Sequence, residues 1–299
     1  DCNKAILFCK NKAFEGVIAI GGGSVMDLAK VVMAYISSNE HNIYNLINMQ
    51  DGYGEKTPAI FLPTTHGTGS EVTMWGSIWN MEEKKKYSIS DLSLYPKIAI
   101  LDPFLSLTLP LDISIITLMD ALSHSFEAIW NVNSNSSSTN LAIEAISLIL
   151  QNVDDFKNNP NNKLIRNRLL NASNKAGLAF SNTKTAAAHS ISYPLTIHFG
   201  IPHGIASSIT ILELLKINRK SIEPIIGKVI KKNMLSYNKL IKKIKSIPEG
   251  IVPFSLSGWG VKEKDIDFIV DRSFTKDRME NNIVKLSKND IKKVIHEVY

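Results

Sequence analysis

Asp120 and His124 stand four residues apart in a stretch with helical apolar spacing, so both project from one face, one turn apart. His189 and His203 follow on later segments. One carboxylate and three imidazoles make a nitrogen and oxygen donor set without sulfur, suited to Fe(II) or Zn(II). A plainer reading fits the same residues: a surface or capping pair at Asp120 and His124, and a buried polar His189 that needs a partner. A second chemistry is offered nearer the start. Gly21-Gly22-Gly23-Ser24 ends a β-branched run and opens a helical one, where backbone N–H groups can meet a pyrophosphate. The triplet is not the six-residue dinucleotide fingerprint, and a simple tight connection would also use it. Asp27 and Lys30, less than a turn apart, read as a surface ion pair, or with Asp27 facing the ribose of a nicotinamide nucleotide. A second hydroxyl- and glycine-rich turn, Pro63-Thr64-Thr65-His66-Gly67-Thr68-Gly69-Ser70-Glu71, follows another strand-like run. Two such turns at strand ends favour a ligand crevice.

These residues must be held by regular elements. Residues 14–20, the glycine turn and residues 25–37 read as strand, turn and helix, one parallel α/β unit. Residues 59–63 and 97–102 read as further strands, residues 87–90 as an edge strand, and residues 1–11 as a helix. After Pro110 the apolar residues recur at three and four. Residues 111–131, 138–152, 163–180 and 204–215 then predict helices, with a polar loop at 131–138. The expectation is an α/β nucleotide-binding domain over 1–110, followed by an all-α metal-binding domain over 111–299.

The chain has 299 residues, 44% hydrophobic and 21% charged, ordinary for a globular protein. No run of eighteen apolar residues argues for a membrane span, and no basic-then-apolar leader suggests secretion. Two cysteines, Cys2 and Cys9, lack ligand spacing and fit a reducing, cytoplasmic setting. The formal charge of +6 comes with lysines at helical spacing over 216–245, which read as solvated helix faces. No aromatic residues alternate with them, so a nucleic-acid partner is not expected.

Taken together and in order, the segments resemble the iron-containing alcohol dehydrogenase family. Gly21-Gly22-Gly23-Ser24-Val25-Met26-Asp27-Leu28-Ala29-Lys30 is similar to its first nucleotide motif, and the turn from Pro63 through Thr73 to its second. Asp120-Ala121-Leu122-Ser123-His124-Ser125-Phe126-Glu127-Ala128 resembles its first metal motif, and Ile201-Pro202-His203-Gly204 its last. The resemblance implies a dehydroquinate synthase-like fold, NAD(H) or NADP(H), and Fe(II) or Zn(II) on Asp120, His124, His189 and His203. It places Gly22, Gly23 and Ser24 at the pyrophosphate, Thr64, Thr65 and Thr68 at the adenosine and phosphate side, and Asp27 and Lys86 near the nicotinamide. It implies a small alcohol or aldehyde as substrate and a homodimer.

The departures are informative. Tyr193 stands where many members carry a histidine, and is expected to relay protons, to contact substrate or merely to pack. His66 and His198 replace residues that are usually small or apolar, and are expected in a polar substrate pocket. The segment from Trp75 to Trp79, together with His189-Ser190-Ile191-Ser192-Tyr193-Pro194-Leu195-Thr196-Ile197-His198, resembles the phosphonoacetaldehyde reductase branch, which implies reduction of phosphonoacetaldehyde to 2-hydroxyethylphosphonate. Lys184 and Arg278 are further candidate anion contacts. Family members carry additional α/β structure before the first glycine motif, so this chain is expected to lack part of that fold. Two alternatives stay open: a non-redox lyase resembling dehydroquinate synthase, and a catalytically silent binding subunit.

Overall fold

The computed structural model describes residues 1–38, 40, 42–49 and 51–299. Helix α1 (Cys2–Cys9) leads to strand β1 (Val17–Gly21), helix α2 (Gly23–Ser38), helix α3 (Ile43–Asn48) and strand β2 (Ala59–Pro63). A hairpin of β3 (Trp75–Asn80) and β4 (Lys85–Ser90) follows, then the short strand β5 (Ile98–Ala99). Strands β1, β2 and β5 form a parallel sheet in the order β1-β2-β5, with β1 at its edge. Their residues alternate between buried and open faces; Ala19, Ala59 and Phe61 are buried while Ile18 and Ile20 stay exposed. The expected edge strand at 87–90 is half of an antiparallel hairpin separate from this sheet. Its partner, Trp75–Asn80, was not expected as a strand.

From Leu111 onward the elements are helical: α4 (Leu111–Ile129), α5 (Ser136–Asn158), α6 (Lys163–Thr183), α7 (Ala187–Phe199), α8 (His203–Ser208) and α9 (Ile211–Lys232). Helices α10 (Tyr237–Ser246), α11 (Ile266–Arg272) and α12 (Lys288–Glu297) complete the chain. The polar loop before α5 serves as its cap: Asn135 Oδ1 accepts from Ser138 N–H, and Ser138 Oγ accepts from Asn135 N–H. The single helix expected over 204–215 is divided, with α8 stopping at Ser208 and α9 running to Lys232 through Pro224. The lysines of α9 and α10 lie mostly on exposed faces, as expected.

Two hydrophobic cores result. One joins α2, α3 and the sheet through Met26, Val31, Leu46 and Phe61; the other joins the helices through Leu118, Phe126, Trp130 and Leu169. Helix α4 is buried on every side from Leu118 to Ile129, which puts Asp120 and His124 in the interior. No described helix is long and apolar enough to cross a membrane.

Candidate active site

Pairing of β1 with β2 sets Gly21 beside Pro63, so the two turns leave the sheet together. Thr64 N–H donates to Gly21 O at 3.0 Å. The turns interlock. A Cβ on Gly22 would stand 3.1 Å from Thr65 Cγ2, and one on Gly23 only 2.6 Å from Thr68 Cγ2. Neither glycine has a left-handed backbone, so close approach is what demands them here. The second turn is itself pressed onto the helices. Gly69, at φ +58°, meets Gly177 of α6 backbone to backbone; a Cβ on Gly69 would lie 2.5 Å from the Gly177 Cα.

Asp27 and Lys30 are not a surface pair. Lys30 is 0% exposed and donates to Ser70 Oγ, Thr73 Oγ1 and Trp75 O at 2.7–2.8 Å. Burial lowers its pKa to about 8 despite Asp27 and Glu71 nearby. Asp27 accepts from Ser70 Oγ (2.7 Å) and Ser77 N–H (3.0 Å). This network ties α2, the second turn and the hairpin into one wall.

That wall faces a cavity of about 360 Å³, bounded by Gly22, Gly23 and Ser24 at one end and by Asp120, His189 and His203 at the other. One donor atom each from Asp120, His189 and His203 lies within 4.8 Å of the others. His124 adjoins this trio: its Nε2 is 4.0 Å from Asp120 Oδ1, and its ring stacks on those of His189 (4.5 Å) and Phe180 (4.0 Å). His189 Nε2 and His203 Nδ1 find no hydrogen-bond partner in the protein, and His189 Nε2 stands 3.5 Å from Asp120 Oδ1.

The electrostatics suit a bound cation. Burial lowers His124 to about 4 and His203 to about 3, leaving neutral imidazoles with a lone pair to share. Burial also opposes charge on His189, but Glu127 and Asp120 outweigh it and raise this ring to about 9. Burial opposes ionisation of Asp120 too, yet the three histidines hold it below the usual carboxylate range. Unpartnered imidazole nitrogens around a buried carboxylate are the donor set that Fe(II) or Zn(II) takes.

Glu127 was not singled out in the sequence. Fully buried, it accepts from His189 N–H at 3.1 Å through Oε1 and lies 2.5 Å from His189 Nδ1 through Oε2. A carboxylate on Nδ1 keeps a proton there, so a cation that displaces the other proton would meet the Nε2 lone pair on the side of Asp120. The signal was present: Glu127 is three residues after His124 and seven after Asp120, on the same helical face.

The hairpin brings a further cluster. Trp79 and Lys86 are cross-strand partners. Lys86 Nζ lies 4.2 Å from the Tyr193 ring centroid and 5.1 Å from that of Trp79. Burial would raise the Tyr193 phenol, but the charges of Lys86, Arg278 and His189 prevail and lower it to about 8. Lys86, Arg278 and Tyr193 all line the cavity, and neither cation belongs to any ion pair among the described residues.

Other expected contacts lie elsewhere. Thr65 and Thr68 line the cavity, while Thr64 does not. His66 turns the opposite way, is 0% exposed, and packs edge-on against Phe156 (6.1 Å), with no partner for either ring nitrogen. His198 follows Tyr193 by five residues, which carries it to another side of α7. It is exposed there, edge-on to Phe268 at 4.9 Å. Lys184 is exposed at the end of α6 with φ +63°. His66, His198 and Lys184 therefore do not line the cavity.

Residues 1–103 match the iron-containing alcohol dehydrogenase family, and residues 114–299 match the C-terminal part of the Fe-containing alcohol dehydrogenase family. The chain is 31% identical to long-chain-alcohol dehydrogenase 1 of Geobacillus thermodenitrificans (strain NG80-2), over 93% of its own length and 71% of that protein. It is 30% identical to phosphonoacetaldehyde reductase of Streptomyces viridochromogenes, over 67% of this chain and 52% of the relative. Among solved structures, it superposes with a TM-score of 0.90 on sulfoacetaldehyde reductase from Bifidobacterium kashiwanohense in complex with NAD+. That match has 28% identity and covers 99% of this chain and 79% of the other.

Proposed function

Since the chain belongs to the iron-containing alcohol dehydrogenases, NAD(P)-dependent oxidoreductases acting on alcohols and aldehydes, we propose that it reduces a short aldehyde bearing an anionic end, with phosphonoacetaldehyde, giving 2-hydroxyethylphosphonate, as the leading instance. The observation that carries this reading is the pair of cations without ion-pair partners, Lys86 and Arg278, in the cavity that holds the Asp120, His189 and His203 trio. An aldehyde seated at the trio would find them within the same enclosure, where charge-assisted hydrogen bonds are strong.

Asp120, His124, His189 and His203 would hold the metal. Gly22, Gly23 and Ser24, at the start of α2, would receive the pyrophosphate on backbone N–H groups and the positive end of the helix. Thr65 and Thr68 would flank the phosphates, and Asp27 would face the ribose on the nicotinamide side. When bound, the metal supplies a Lewis acid for the carbonyl oxygen and the nicotinamide supplies the hydride. Tyr193, which lines the cavity with Lys86 and Arg278, would then carry the proton. The domain boundary near residue 110, a cytoplasmic location and a homodimer belong to the same reading.

The test is NADH oxidation by the iron-loaded enzyme. Phosphonoacetaldehyde should exceed propanal in kcat/KM by at least about a hundredfold, because a neutral substrate leaves both cations unpaired. Lys86→Met and Arg278→Met should each erode that preference through the phosphonate alone. Equal efficiency toward both aldehydes would refute the anionic substrate. Absence of net NADH turnover would favour the lyase or the silent subunit.

A further inference from the structure

Trp79 belongs to neither the metal trio nor the turns, yet it lines the same cavity as both. Its ring meets that of His203 at 5.9 Å and that of Tyr193 at 6.2 Å, both edge to face. It lines the cavity beside the trio, so its indole occupies the angle between helices α7 and α8.

The ring is also held in place. Its cross-strand partner Lys86 lays an ammonium over both Trp79 and Tyr193, and swinging the indole aside would cost that contact. The hairpin tip is fastened through Glu83, which accepts from Tyr44 Oη (2.9 Å), Tyr87 Oη (2.5 Å) and Asn80 Nδ2 (2.9 Å). Tyr44 belongs to α3, so the latch ties the hairpin to the body of the α/β part. Behind it, Lys30 donates to the carbonyl of Trp75 at the base of β3.

We infer that Trp79 is a specificity-determining residue: its fixed indole is the wall that limits how long a carbon chain the cavity accepts. The inference rests on the aldehyde site proposed above and deepens it. A carbonyl held at the trio has its substituent directed into a space that the indole closes. On this reading a chain that reaches no farther than the proposed phosphonate substrate is seated between the trio and the cations, whereas further methylenes must displace a ring that meets Lys86, Tyr193 and His203. In a hydrophobic pocket, one methylene that cannot be seated costs about tenfold or more in efficiency.

The test uses neutral aldehydes, so it is independent of the charge of the substrate. The ratio of kcat/KM for hexanal to that for propanal is measured in the iron-loaded wild type, Trp79→Phe and Trp79→Ala. The ratio should rise at least about tenfold in Trp79→Ala, with Trp79→Phe between the two, and metal content should stay unchanged in all three. If Trp79→Ala does not fold, Trp79→Leu and Trp79→Phe carry the comparison. Propanal turnover with an unchanged or lower ratio in the variants overturns the wall and leaves the aldehyde site standing. A wild type that turns over neither aldehyde nor phosphonoacetaldehyde overturns the site and the wall together.

Discussion

His66 is a buried imidazole with no hydrogen-bond partner, and its energetic effect can be worked out. It is 0% exposed against Phe156, and both ring nitrogens lack a partner. Burial, with a smaller contribution from the Arg166 charge, lowers its pKa to about 3. A group whose folded pKa is depressed binds its proton in the unfolded chain first, so stability falls as pH drops below the unfolded value of about 6.5 and levels off near 3. The slope is about 1.4 kcal/mol per pH unit for one group, or roughly 2–3 kcal/mol between neutrality and about pH 4.5. Replacing His66 with Leu, similar in size, removes this slope and also the cost of desolvating an unpaired polar group, about 1–3 kcal/mol. His66→Leu should therefore be the more stable protein at about pH 7.5, and its advantage should widen by roughly 2–3 kcal/mol at about pH 4.5. The assay is urea unfolding of both proteins with a chelator present, so that metal release is common to the two. An advantage that is the same at both pH values would refute the reasoning.

Further outcomes follow from the same geometry. Changing His189 and His203 to Ala together should abolish stoichiometric divalent metal by elemental analysis; full occupancy would remove the trio as the metal site. Glu127→Gln keeps size but turns an amide N–H toward His189 Nδ1, favouring the wrong tautomer. Metal affinity should fall about 10- to 100-fold with little change in apo-protein unfolding, and unaltered affinity by competitive chelation would contradict that role. Gly23→Ala forces Thr68 aside and should cost about 1–3 kcal/mol. Adding Thr68→Ala should recover part of that loss in the urea midpoint, and no recovery would mean that the interlocked turns are not what requires glycine.

Much of this was legible in the chain because it is local. The glycine triplet sits between a β-branched run and a helical one, and the Asp120 and His124 spacing is a property of one helix. Both turns leave neighbouring strand ends, and Asp120 and His124 lie one turn apart in α4, as those patterns indicate. What failed depended on direction or on pairing across space. His66 and Thr65 are neighbours in one turn, yet one enters the core and the other lines the cavity; residue type does not reveal which. His198 was placed near the substrate by its unusual identity, although five residues along a helix carry it to another side from Tyr193. Lys30 reads as a surface residue until Ser70, Thr73 and Trp75, forty or more positions away, are seen to satisfy its ammonium. Trp79 beside Lys86 needed the hairpin register, which the polar sequence around Met81 does not specify.

The contact of Gly69 with Gly177 has a mechanical consequence. Sliding between packed surfaces proceeds by side chains exchanging rotamers, and hinging proceeds by a few backbone torsions. At this point of the seam between the sheet and the helices Cα faces Cα, with Val72 and Phe180 packed around the contact, so neither glycine has a side chain to exchange. The seam acts as a fulcrum. Any opening of the cleft would have to turn about this contact, with the gap widening with distance from it. The hairpin, tied to α2 through Lys30 and to α3 through Glu83, turns with the α/β part as one body, so such a rotation would carry Trp79 and the glycine turns together.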